Sequence, residues 1–183
     1  RRAYYGKAMT GKPIFISLAL LPHVIALNAP DDVNVEYQRG RISQPAKRVY
    51  DTLSAMGPTP TMALREAAGL DSLRYHHALD ELQRALVILP VGATLEQGAW
   101  PSQIFDLVAR WFPRQFERAQ KIDAAAATRA LVRRYIETVV VSTTPMIART
   151  FGLARDQVTT AVDTLVARRV LSKKDDWILR HGR

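Results

Sequence analysis

With 183 residues, 48% of them apolar, the chain has material for one large domain or two small ones with packed cores. It contains no cysteine, which excludes disulfides and thiolate metal sites and fits a reducing cytoplasm. The net charge of +9 is uneven, at +5 over residues 1–48 (eight Lys/Arg against three Asp/Glu), −1 over 49–122 (seven against eight) and +5 over 123–183 (eleven against six); basic ends attract polyanions, nucleic acid foremost.

The opening segment, residues 1–28, reads as a basic arm followed by the apolar residues Ile14, Phe15, Ile16, Leu18, Leu20 and Leu21. Pro13 precedes this run and Pro22 ends it, which suits a strand or a short buried segment better than a long helix. The run falls short of the ~20 apolar residues that cross a bilayer. No secretory signal is visible, and the chain opens on Arg1-Arg2 rather than Met, as a fragment or trimmed piece would. Ala29-Pro30-Asp31-Asp32 marks a turn or helix start. A short helix over 31–41 would pack Val33 and Tyr37 inward and leave Arg39 and Arg41 to solvent or phosphate.

From Ser43 the periodicity sharpens. Pro45 suits the first turn of a helix, whose stripe is Val49, Leu53 and Met56. Gly57-Pro58-Thr59-Pro60 breaks it, and Thr61 is placed to cap a second helix through Met62, Leu64 and Ala68. Gly69 suits a left-handed helix end. Asp71 or Ser72 caps a third helix with Tyr75, Leu79, Leu82 and Leu86 on one face and Arg74, His77, Glu81 and Arg84 on the other. Val87 to Val91 is a compact strand, and Gly92 to Gly98 is polar enough for the tip of a wing. A strand or helix start follows at Trp100, with Ile104, Leu107, Val108, Trp111 and Phe112 at helical spacing before Pro113.

Asp123 caps the next helix, with Leu131, Val132, Tyr135 and Ile136 buried and Arg129, Arg133 and Arg134 largely outside. Ser142-Thr143-Thr144-Pro145 is a cap with proline in the first turn, and Gly152 terminates that helix. A third helix runs from about Arg155 to Arg168, with Val158, Ala161, Val162 and Leu165 inward. Residues 170–180 read as a hairpin with Lys173, Lys174, Asp175 and Asp176 at its tip.

The two halves share one signature. Gly69-Leu70, Ala78, Asp80, Leu82 and Val87 recur as Gly152-Leu153, Ala161, Asp163, Leu165 and Val170, every pair separated by 83 residues. Helical spacing alone would not also preserve the Gly-Leu and the Asp, so two copies of one supersecondary unit are implied. Each reads as helix, turn, helix, turn, longer helix, strand, the order of a helix-turn-helix with a wing. The expected fold is mainly α with small β-hairpins, a tandem winged helix-turn-helix. Residues 1–42 form a basic extension packing on a first module at 43–122, and 123–183 form a second.

A recognition helix presents donors on its exposed N-terminal half. In the second copy Arg155, Gln157, Thr159 and Thr160 meet that need, and Gln or Arg can read a base edge with two hydrogen bonds. Arg149, Lys173 and Lys174 are placed for phosphates. In the first copy the exposed set is Arg74, His76 and His77, weakened by Asp80 and Glu81 nearby. The competing reading buries both helices, with their arginines only solubilising the chain. Asp80 and Asp163 read as caps or ion-pair partners, of Arg84 or of Arg155 and Arg168, rather than as acids or bases. Trp100, Trp111 and Phe112 read as core rather than base-stacking residues. No zinc-ligand spacing, phosphate loop, Rossmann fingerprint or nucleophile elbow occurs, so the reading names no metal, cofactor or catalytic residue.

Gly57-Pro58, Ala78 to Arg84, Val87 to Val91 and the run Ile104-Phe105-Asp106-Leu107-Val108-x-Arg110-Trp111-Phe112-Pro113 resemble the central part of the winged-helix DNA glycosylases of the AlkZ and YcaQ type. Residues 127–171 are similar to that family's next winged helix, so the resemblance covers roughly 43–171. Its most specific piece is the (Ile/Val)-(Phe/Tyr)-Asp-Leu…Pro segment after the wing. The resemblance implies tandem winged helices that bind DNA around a damaged or crosslinked base and hydrolyse its glycosidic bond. The family's catalytic Gln-x-Asp or Gln-x-Gln lies in a winged helix upstream of the matched part, and neither spacing occurs in this sequence; Gln115-x-Glu117 is the nearest approach, in a different element. The expectation is therefore a glycosylase-like protein or fragment that binds double-stranded DNA without a complete active site, as a monomer or homodimer. A transcriptional regulator or a protein-interaction module is the alternative.

Overall fold

A computed structural model describes residues 2–94 and 101–181. The chain is mainly helical with small antiparallel sheets, and it divides into two compact units. One holds residues 1–16 and 28–116, the other residues 17–27 and 117–183.

The chain starts with a two-stranded sheet, β1 (Ala3–Ala8) and β2 (Lys12–Ser17). Along β1, Tyr4, Gly6 and Ala8 are buried while Ala3 and Tyr5 are exposed, the two-residue alternation of a half-covered strand. Helix α1 (Leu21–Asn28) follows. The apolar run expected to stop at Pro22 is thus split between strand and helix, with Pro22 in the first helical turn, where its missing N–H costs nothing. Helix α2 (Val33–Gln38) begins at Asp32, whose carboxylate accepts from Asn34 N–H at 2.6 Å. Arg39 and Arg41 both pair with Glu36.

The first unit then runs α3 (Gln44–Met56), β3 (Thr59–Pro60), α4 (Thr61–Ala67), α5 (Ser72–Arg84), β4 (Ile88–Ala93), β5 (Gln103–Leu107) and a single turn, α6 (Val108–Trp111). Its core gathers Val49 and Leu53 of α3, Leu64 of α4, Tyr75, Leu79 and Leu82 of α5, and Ile88 and Phe105 from the sheet. Met56, expected in the α3 stripe, is 56% exposed because the helix ends there. Ser43 caps α3, and its N–H and hydroxyl both donate to the Glu81 carboxylate, fastening α3 to α5. Asp71 caps α5 by accepting from Arg74 N–H.

Helix α7 (Pro113–Ala119) leads into the second unit: α8 (Ala124–Val139), β6 (Val141–Thr143), α9 (Thr144–Phe151), α10 (Arg155–Ala167), β7 (Leu171–Lys174) and β8 (Trp177–Arg180). Asp123 caps α8, as expected. Leu131, Val132, Ile136, Ile147, Val158, Val162, Leu165 and Ile178 are buried, and Tyr135 meets Phe151 edge-on at 5.3 Å.

The repeat is matched in backbone detail. Both sheets have the order first, third, second strand: β3-β5-β4 and β6-β8-β7. Positive φ recurs at the same offset, at Gly69 and Gly152 and at Leu86 and Arg169, and also at Gly57 and Val140, where ψ differs (−154° and −47°). The helix-ending bonds Leu70 N–H to Arg65 O and Val87 N–H to Leu82 O recur as Leu153 to Ala148 and Val170 to Leu165. Across the hairpins Ile88 faces Leu107 and Leu171 faces Arg180, so the offset falls from 83 to 73 and the first hairpin is ten residues longer.

Three local expectations are corrected. Thr61 does not cap α4: the N-cap position is Pro60, which has no side-chain acceptor, and the Thr61 hydroxyl donates to Gln103 O instead. Thr143 precedes α9 without a side-chain cap bond, because it is paired in β6 opposite Trp177. The helical spacing from Ile104 is misleading, since Gln103–Leu107 is the central strand of its sheet and the helix starts only at Val108. Much of the expected wing tip at Gly92 to Gly98, and Trp100, lie outside the described residues.

Candidate nucleic-acid interface

The two units carry the same surface feature with different charge. Where α9 turns into α10, an open depression of about 420 Å³ is lined by Pro145, Met146, Ala148, Arg149, Gly152, Leu153 and Arg155. Gly152 makes the turn at φ 66° and ψ 28°, a left-handed conformation that costs glycine little. Arg149 and Arg155 thereby reach one rim. Ala154 stands at the N-cap of α10 and offers no side-chain acceptor, leaving the first-turn amides without a side-chain cap. Those amides and the two guanidinium groups suit an anion.

The equivalent depression between α4 and α5 is lined by Met62, Arg65, Glu66, Gly69, Leu70, Asp71 and Ser72. Glu66 stands where the second unit has Arg149, Asp71 where it has Ala154, and Ser72 where it has Arg155. Asp71 also occupies the helix end itself, accepting from Arg74 N–H at 2.9 Å and pairing with the Arg74 guanidinium at 3.4 Å. His77 is exposed on the same helix. Arg74 is thus half-neutralised by its own cap, a feature visible in the Asp71-x-x-Arg74 spacing only after the cap is placed.

Along α10, Arg155, Thr159 and Thr160 are exposed and Gln157 is half-buried. Both threonine hydroxyls donate back along the helix, Thr159 to Arg155 O and Thr160 to Asp156 O at 2.9 Å, so they face outward chiefly as acceptors. Lys173 and Lys174 are exposed at the end of β7, where Lys174 faces Trp177 across a two-residue turn. Adjacent strand residues point to opposite faces, so the two ammonium groups do not serve one phosphate together. Arg133 and Arg134, by contrast, are occupied: both bond Glu137, whose carboxyl is held below its usual range first by the Arg133 hydrogen bond.

Asp80 and Asp163 sit at equivalent positions with different surroundings. Asp80 pairs with Lys7 of β1 at 2.7 Å, not with Arg84, because the β1–β2 hairpin lies against α5. Asp163 is exposed. The Arg84 guanidinium instead lies against the hairpin turn, where a Cβ on Gly11 would come within 2.5 Å of its Nε.

The segment spanning β5 and α6 is a latch. Asp106 is fully buried; its carboxylate accepts from Leu107 N–H and Trp111 Nε1–H, each at 2.7 Å, and from the Arg110 guanidinium. Arg110 also donates to Leu53 O and Ser54 O at the end of α3. The Ile-Phe-Asp-Leu run therefore joins β5, α6 and α3 rather than presenting an acid to solvent. Phe112 is buried as expected, and Trp111 is half-buried.

Among the described residues, no three His, Asp or Glu side chains converge as for a metal ion, and no helix is long and apolar enough to cross a membrane. No curated protein matches the chain. The family model described as AlkZ related matches residues 1–152, taking in the N-terminal hairpin that the residue resemblance had left aside and stopping at the end of α9. A match over that much of the sequence identifies the chain as a member of the AlkZ-related family.

Proposed function

We propose that the chain is a tandem winged-helix protein that binds double-stranded DNA in a repair context, with the second unit making the stronger phosphate contacts. The winged-helix reading is supported by the repeated order of helix, strand, two helices and two strands, and by the first-third-second strand order in both sheets. DNA as partner is supported by the family and by the charge of the second unit, thirteen Lys/Arg against seven Asp/Glu, where the first has thirteen against ten. The observation that carries the proposal is the exchange of Glu66, Asp71 and Ser72 for Arg149, Ala154 and Arg155 at equivalent turns.

In this reading Arg149, Arg155 and one of Lys173 and Lys174 hold phosphates. Gln157, Thr159 and Thr160 face base edges, while Arg74 and His77 make a weaker contact in the first unit. No residue is assigned a catalytic role. The test is duplex binding by fluorescence anisotropy over a salt series. Affinity should fall steeply with salt, and Lys173→Glu with Lys174→Glu should weaken binding on every sequence alike. Binding that is absent or indifferent to salt would sink the proposal.

A further inference from the structure

The β1–β2 hairpin presents an aromatic pair that the core does not use. Phe15 is 75% exposed and Tyr5 43%, and their rings meet with centroids 4.7 Å apart. Tyr4, the adjacent aromatic, shows the alternative: it points inward, is fully buried and meets Phe112 at 6.2 Å. Exposing a phenylalanine to this extent forgoes roughly 1.5–3 kcal/mol of burial. Folding does not explain the pair, because the hairpin is already fastened to α5 by Lys7 and Asp80.

The surroundings are basic and concave. Residues 2–17 contain Arg2, Lys7 and Lys12 and no acid, and of these Lys7 is paired with Asp80. Beside Tyr5 opens a cleft of about 270 Å³ between the hairpin, α5 and the sheet. Its walls mix donors and acceptors, with Lys7, His76, Asp80 and Gln103 around an apolar floor that includes Phe105. This size suits one heterocycle rather than a drug-sized ligand. Aromatic faces on a basic ribbon, next to a small cleft of mixed polarity, match an unstacked base: the ring stacks, Arg2 and Lys12 take the flanking phosphates, and the cleft meets the hydrogen-bonding edge.

We propose that the outer face of the N-terminal hairpin, centred on Phe15 and Tyr5, is a stacking platform for an unpaired base in DNA, with the adjoining cleft receiving that base's polar edge. This rests on the DNA-binding reading above but uses a different surface and a different DNA feature. Phe15 is the stacking residue, and Tyr5 backs it and lines the cleft.

The test compares two duplexes of one sequence, one fully paired and one carrying a single bulged 2-aminopurine, bound by the whole chain. The bulged duplex should bind more tightly and its fluorescence should change. Phe15→Ala and Tyr5→Ala should each cut that affinity about tenfold or more. Paired-duplex affinity should hold, and Phe15→Trp should retain the bulge preference. Thermal melting of each variant confirms folding, which the exposure of Phe15 favours. If Phe15→Ala leaves bulge binding and fluorescence unchanged while the paired duplex still binds with salt dependence, the platform is overturned and the DNA reading stands. Bulge binding that needs Phe15 without any paired-duplex affinity supports the platform and overturns the duplex reading. Binding of neither probe overturns both.

Discussion

The turns α4–α5 and α9–α10 share a backbone and differ in charge. Both end a helix on glycine with positive φ and open a third helix three residues later. In one, carboxylates occupy the helix end; in the other, arginines surround an end without a side-chain cap. The repeated backbone gives both turns one geometry, and the residues at a few exposed positions set the charge of each. Such positions contribute little to the core, so they are free to diverge while Leu82 and Leu165 are not.

The comparison can be broken first at stability. The first unit alone has the Asp106 latch; the equivalent β8 position is Leu179. Asp106→Ala removes the buried acceptor shared by Leu107 N–H, Trp111 Nε1–H and the Arg110 guanidinium, and should cost about 1–3 kcal/mol. Unfolding followed by tryptophan fluorescence would show the first unit melting earlier. Asp106→Asn, which keeps one acceptor, should cost less; equal stability of Asp106→Ala and the unaltered chain would refute the latch.

Next comes the charge exchange itself. Arg149→Glu with Arg155→Glu gives the second turn the sign of the first and should lower duplex affinity about tenfold to a hundredfold at low salt, with a shallower salt slope. The reciprocal change, Glu66→Arg with Asp71→Ala, should raise affinity, although loss of the Asp71 cap costs about 1 kcal/mol of stability. Unaltered binding in both would mean that these turns do not face DNA.

A smaller effect sharpens the backbone side. Val140 sits at φ 72° and ψ −47°, a strained conformation for a β-branched residue, where the first unit has Gly57 at φ 79°. Val140 is 68% exposed, so Val140→Gly gives up little packing. It should stabilise the second unit by about 1 kcal/mol, relief of strain exceeding glycine's extra chain entropy. A lower melting temperature would contradict this.

The smallest concerns pH. His23 on α1 is held below its usual value by burial first and by Arg118 second. The folded chain therefore favours neutral imidazole, and the unfolded chain binds the proton more readily. Stability from this site is complete above about pH 6.5 and declines as pH falls below it. His23→Gln should flatten that part of the stability profile in denaturant titrations at pH 5 and 7.5.

Much of this was legible in the residues. The offset of 83, the proline in the first turn of α3, the caps at Asp71 and Asp123, and the glycine ends at 69 and 152 depend on interactions within a few positions, and local chemistry encodes them. The basic second copy was legible too, because charge needs no fold to be counted. What escaped were contacts between distant segments. Ile104 to Phe112 has helical spacing, yet β5 is a strand because β3 and β4 pair with it on both sides. Ser142 to Thr144 looks like a cap, but Thr143 is held in a sheet.

The sequence by itself determined the repeat at offset 83, the glycine helix ends and the sign of each copy's charge, since periodicity, turn chemistry and charge act at short range. Only the tertiary structure decided that Lys7 partners Asp80, that Asp106 is buried, and that Phe15 is left exposed beside a cleft. Each of these depends on which strands and helices meet across tens of residues. The hydrophobic effect that brings them together has no direction of its own, and pairing and packing settle the partners.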